Sequence, residues 1–168
     1  FKDCISLKNI DLSKTTTISL NAFLNCKNLD IGSLDSIVSI GKYAFKNCQS
    51  LTDINTGYYL KTVGDGAFSE CSKLEKVHFG MSLADLGNEV FENCPNLIDL
   101  TVLSFKCDID ETSYVSDLDQ LNDDLIVHCG ADTKVCQFNE SNGITCDHIA
   151  LSFDNMPDKW HGTVGDAQ

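Results

Sequence analysis

The sequence predicts an α/β repeat solenoid: a right-handed coil of short parallel strands, closed at its C-terminal end by a strand-helix-strand cap. Three observations predict it. The phrase Phe-x-x-Cys occurs at Phe1/Cys4, Phe23/Cys26, Phe45/Cys48, Phe68/Cys71 and Phe91/Cys94; the steps between occurrences are 22, 22, 23 and 23 residues; and the phrase fades near residue 103, where a different pattern begins. A segment of 22 or 23 residues is too short to close a core of its own. Its apolar side must be covered by the same side of its neighbours, so the units stack.

Within a unit, a Leu follows the Cys by three residues and a branched apolar residue follows by three more, as in Leu7/Ile10, Leu51/Ile54, Leu74/Val77 and Leu97/Leu100. The second unit departs, because Leu29 is followed by Ile31 after only two residues, which predicts a bulge or a shortened strand. Ahead of the Phe, Ile40-Gly41-Lys42-Tyr43-Ala44-Phe45 aligns with Val63 to Phe68 and Leu86 to Phe91. Ser19 takes the Gly place in the first full unit and Val90 the Ala place in the last. Strands stacked about 4.8 Å apart bring Phe23, Phe45, Phe68 and Phe91 into one interior column. Gly41, Gly64 and Gly87 fall where a bend or a close backbone approach leaves no room for a side chain.

The run Ile40-Gly41-Lys42-Tyr43-Ala44-Phe45-Lys46-Asn47-Cys48-Gln49-Ser50-Leu51-Thr52-Asp53-Ile54 resembles the Treponema-type leucine-rich repeat of BspA-like proteins. The resemblance covers residues 1 to about 103. It implies a leucine-rich-repeat coil, no catalysis, and a surface or secreted protein that adheres to host or matrix proteins or glycans. Residues 1–103 are expected to hold about four and a half repeats of an N-terminally truncated array, because Phe1 falls in the middle of a unit. Residues 104–151 are expected to form a degenerate last repeat and the cap, and residues 152–168, with Trp160, a tail without assignable pattern. In the cap, Tyr114 stands 23 residues after Phe91 and extends the aromatic column, with Leu118 or Leu121 below it. Leu125 to Gly130 reads as a strand, and residues 131–142 as a helix that turns Val135 and Phe138 to the coil. Asn142-Gly143 stops that helix, and Ile144 to Leu151 forms the final strand.

The net charge of −13 is uneven. Residues 1–102 carry nine Lys against twelve acids, and residues 103–168 three against thirteen. Such a field disfavours nucleic acid and anionic membrane surfaces as partners. No apolar run approaches the roughly 20 residues of a membrane span. The acidic run Asp108, Asp110, Glu111, Asp117, Asp119, Asp123 and Asp124 lacks the order of an EF-hand loop and reads as solvated.

The five repeat cysteines point the same way in successive coils, too far apart to bond, and read as buried thiols. Cys107, Cys129, Cys136 and Cys146 lie outside that column, and a bridge between Cys129 and Cys146 is the alternative to free thiols there. No Cys-x-x-Cys or His-x-x-x-His spacing occurs, so neither a metal site nor a cofactor is expected. No nucleophile motif or phosphate-binding loop suggests an enzyme. Asn139-Glu140-Ser141 is a glycan acceptor triplet.

Counting along the strands leaves Asn9, Asp11, Asp53, Asn55, Lys76, His78, Asp99 and Thr101 facing outward, and these form the expected partner-binding face. The competing expectation is a structural or assembly scaffold, intracellular, where many free thiols are at home.

Overall fold

The computed structural model describes residues 1–107, 109, 112–114, 116, 121–131 and 133–149. Most of the acidic run (Asp108, Asp110, Glu111, Asp117, Asp119) lies outside them, as do Leu118, Leu151 and Trp160. The elements run β1 (Thr17–Ile18), β2 (Ser39–Ile40), β3 (Asp53–Asn55), β4 (Thr62–Val63), β5 (Lys76–Phe79), β6 (Asp85–Leu86), β7 (Asp99–Val102), β8 (Ile126–Gly130), α1 (Lys134–Ser141) and β9 (Thr145–Ile149). They form two parallel sheets, β1-β2-β4-β6 and β3-β5-β7-β8-β9. A full turn of the coil adds one strand to each sheet, and the apolar residues of both meet in a single core. The chain is thus a parallel-strand solenoid with one short helix among the described residues.

The aromatic column lies where the spacing puts it. Phe1, Phe23, Phe45 and Phe68 stack at centroid distances of 5.7, 5.3 and 5.4 Å, with their ring planes nearly parallel. Phe91 follows at 6.2 Å, Tyr114 at 6.5 Å, and Phe138 of α1 closes the file edge-on at 6.0 Å. The fully buried Tyr114 therefore fills the sixth place. Phe79, from the end of β5, also touches both Phe68 and Phe91. Offset contacts of this kind add about 0.5–1.5 kcal/mol per pair beyond burial.

The repeat cysteines are buried thiols from Cys26 onward, whereas Cys4 in the first unit is exposed. Each buried one donates its S–H to the carbonyl of the Phe one unit back: Cys26 to Phe1 (3.0 Å), Cys48 to Phe23 (3.2 Å), Cys71 to Phe45 (3.3 Å) and Cys94 to Phe68 (3.1 Å). That second bond to each carbonyl gives the thiol a role beyond filling space.

The turn between the two halves of the repeat phrase is left-handed. Asp3, Asn25, Asn47, Glu70 and Asn93, the residues just before each Cys, all have φ between 56° and 62°. Asn adopts this region at low cost because its short polar side chain can hydrogen-bond locally and offset the Cβ–carbonyl crowding, whereas Glu lacks that compensation. Asn47 donates its side-chain amide to Asn25 (2.9 Å), and Asn25 to Asp3 (2.7 Å), so a side-chain ladder runs up this column until Glu70 interrupts it. Gly64 is dictated by a different demand: a Cβ there would lie 2.5 Å from the Lys42 backbone nitrogen.

The second unit has no strand after Leu29 among the described residues, and only an isolated bridge, Leu34 to Thr56, marks the place. The expected shortening is complete, and the five-stranded sheet begins one unit later. In the cap, Thr133 caps α1 by accepting from the Cys136 N–H (3.1 Å), Val135 is buried, and Gly143 ends the helix at φ 70°.

Two predictions follow from this packing. Burial raises the Cys48 and Cys94 thiols from 9.0 to about 12. The folded value exceeds the unfolded one, so this contribution is fully present below pH 9.0 and is lost as pH climbs from there toward about 12. Each thiol then removes up to about 1.4 kcal/mol of stability per pH unit, and denaturant titrations on either side of that pH, with Cys48→Ala as reference, measure the slope. The second concerns Glu70→Asn. It relieves a left-handed Glu at a gain of about 1 kcal/mol and loses only the exposed Lys46–Glu70 pair (3.0 Å), worth a few tenths of that. The urea midpoint should rise.

Candidate binding surface

The five-stranded sheet turns one side to the core and one to solvent. Ile54, Val77, Leu100 and Val127 pair in register and point inward, all buried. The positions on either side of them form two outward rows. One row reads Asp53, Lys76, Asp99, Ile126, Thr145, and the other Asn55, His78, Thr101, His128, Asp147. Parallel pairing without a register slip fixes these side chains at a pitch of about 4.8 Å. The first row alternates acid, base and acid across β3, β5 and β7.

Six of the eight residues expected to face a partner therefore share one sheet: Asp53, Asn55, Lys76, His78, Asp99 and Thr101. Asn9 and Asp11 do not join it. Both are exposed, but they lie in no strand, two units before the sheet begins, and Asp11 accepts the Ser13 N–H at 2.9 Å. The Ser13 bonds hold the Asp11 carboxyl below its ordinary value. Thr101 also differs from expectation, being only 5% exposed. Its row neighbours on either side are the imidazoles of His78 and His128, and a short side chain between two long ones is overgrown.

The counting missed the continuation of the face into the cap. His128 stands between two carboxylates, with Nδ1 3.0 Å from Asp147 and Nε2 3.6 Å from Asp99. Its strand was legible as Leu125 to Gly130, but its place in the ladder was not: Ile126 follows Asp99 by 27 residues instead of 23. The face also has aromatic neighbours. Tyr58 and Tyr59, at the turn after β3, are 50% and 62% exposed and pack edge-on at 5.9 Å. In sequence they were hidden in a turn where no repeat position claims them. Asn139 of the acceptor triplet, by contrast, is fully buried in the cap, which removes it as a glycan site in the folded chain.

Two stacked sheets around one aromatic column, one strand of each per 22- or 23-residue turn, define a leucine-rich-repeat protein. Comparison with known proteins narrows this. The BspA type leucine rich repeat region matches residues 1–122 in six copies, and the chain belongs to that family. Among solved structures, a leucine-rich repeat protein from Bacteroides ovatus aligns over 89% of this chain and 32% of its own, at 22% identity and a TM-score of 0.62. A leucine-rich repeat protein of T. pallidum aligns over 67% of this chain and 51% of its own, at 26% identity and a TM-score of 0.52. The chain thus spans about a third of the length of the first of these proteins and about half of the second. No curated protein matches it. Among the described residues no helix is long and apolar enough to cross a membrane.

Thr101 offers a check on the face itself. Replacing it with Lys forces an ammonium into a buried place and should cost about 2 kcal/mol or more. Asn55→Lys, on the same row but half-buried, should stay within about 0.5 kcal/mol of the parent. Paired denaturation curves measure both.

Proposed function

We propose that this chain is a non-catalytic binding module of a cell-surface or secreted protein, and that it adheres to host or matrix proteins through the outward rows of β3, β5, β7 and β8. The observation that carries this reading is the unbroken register of those strands. Side chains on such a ladder are ordered before a partner arrives, so little conformational entropy is lost on binding. The mixed charges of Asp53, Lys76 and Asp99 supply orientation, and the exposed Tyr58 and Tyr59 at the edge supply the aromatic contact that dominates many protein interfaces. Family membership supports protein binding as the general role, and adhesion is the specific form proposed here. The buried, protonated thiols of the core favour a second reading, a scaffold inside the cell, since they are stable in a reducing compartment.

Adsorption of the chain to immobilised extracellular-matrix and cell-surface proteins, with Lys76→Glu/His78→Ala as the variant, separates the two. Loss of about tenfold in affinity, near 1.4 kcal/mol, is expected of the variant if this face makes the contact. Equal capture of parent and variant removes the face, and no capture of either favours the scaffold.

A further inference from the structure

The cap gathers four side chains that no spacing motif announces. Cys129 is on β8, Cys136 lies in the first turn of α1, and Cys146 and His148 are on β9. The three sulfurs lie within 4.8 Å of one another. Cys129 and Cys146 are 2.7 Å apart, and Cys136 Sγ is 3.2 Å from His148 Nε2. We propose that this cluster is a structural zinc site, with the thiolates of Cys129, Cys136 and Cys146 and the Nε2 of His148 as its four ligands.

The chemistry fits zinc. Bonds of about 2.3 Å to sulfur and 2.0 Å to nitrogen in a tetrahedron put neighbouring ligand atoms of a three-sulfur, one-nitrogen site about 3.5–3.8 Å apart. The Cys129–Cys146 and Cys136–His148 separations are shorter than this, so loading requires the sulfurs to open and the His148 ring, which groups with Cys136 and Glu140, to turn toward the other two thiolates. Thiolate and imidazole together select zinc over calcium or magnesium, which take oxygen. Loading releases three thiol protons to solvent, and His148 binds as the neutral ring. The buried amide of Asn139 points its Nδ2 at Cys146 Sγ (4.0 Å), where a donor supports a thiolate. His148 is partly exposed and marks the way in for the ion.

Two other readings use the cluster less completely. A disulfide between Cys129 and Cys146 leaves Cys136 and His148 against each other without a role. Cys146 also pairs with Val127, and Cys129 with His148, so the two cysteines are staggered by two residues on adjacent strands. Ideal strand geometry then sets their Cα atoms about 8 Å apart, beyond the 6.8 Å or so that a disulfide spans. A nucleophilic Cys136–His148 pair is also disfavoured, because Cys136 is buried and the same Nε2 that meets it also meets Glu140 (3.1 Å). Among the described residues no group orients the ring from its other nitrogen as a catalytic carboxylate would.

The test uses the whole chain, reduced with a phosphine, incubated with Zn²⁺ and desalted. One zinc per chain by elemental analysis is expected. Co²⁺ in its place should give the intense visible bands of a tetrahedral thiolate site, and a chelator should lower the melting temperature. Cys136→Ser and His148→Ala should lose the stoichiometric metal, while Glu140→Gln and the repeat-column variant Cys48→Ser should keep it. If a ligand variant fails to fold, the cobalt spectrum of the parent decides by itself. A reduced parent that retains no zinc and gives no tetrahedral spectrum, or a Cys129–Cys146 disulfide in the isolated protein that forms equally in Cys136→Ser, overturns the proposal.

Discussion

The single file of rings from Phe1 through Tyr114 to Phe138 is the constraint on which the remainder of the molecule rests. No unit of 22 or 23 residues can shelter its Phe alone, so each ring from Phe23 to Tyr114 is buried by the one before and the one after, while Phe1, with none before it here, stays exposed. This fixes the translation between units. Once that is set, the strands fall into register, the Cys thiols reach back to the preceding Phe carbonyls, and the glycines face the backbone of the unit behind. A change of pitch at any one coil would break all three relations together. The outward rows inherit their spacing from the same source, and a partner would meet a geometry determined by residues it never touches.

Much of this was legible because repetition turns a weak signal into a strong one. The column, the buried thiols, the cap helix with its Asn142-Gly143 stop and the sixth aromatic place at Tyr114 all follow from spacing and residue type. What spacing could not give was anything set by contact across the turn of the coil. The S–H bonds of the cysteines and the Asn25–Asn47 ladder are of this kind, because a sequence shows which residue recurs and not which atom it meets. Phe79 enters the core from β5 for the same reason: only the coil brings it beside Phe68 and Phe91.

The proposed face was half legible in the sequence. Alternation in β3, β5 and β7 gave the outward residues, and failed at Asn9 and Asp11, where an apolar pattern exists without a strand to carry it. It failed again at Thr101, because exposure depends on the size of the row neighbours as well as on direction. The 27-residue step to Ile126 hid the role of His128 and Asp147. In the cap, Cys129, Cys136, Cys146 and His148 obey none of the short intervals by which metal ligands are recognised, since a helix lies between the strands that carry the first and the last. Parallel pairing of β8 with β9 closes that gap in space.

The orientation of the backbone hydrogen bonds has a mechanical consequence. In both sheets the bonds between strands run along the axis of the solenoid, one rung per turn. Tension applied end to end would load these rungs one after another and not all at once, so the coil would yield a turn at a time at modest force, lengthening while its inner turns stayed folded.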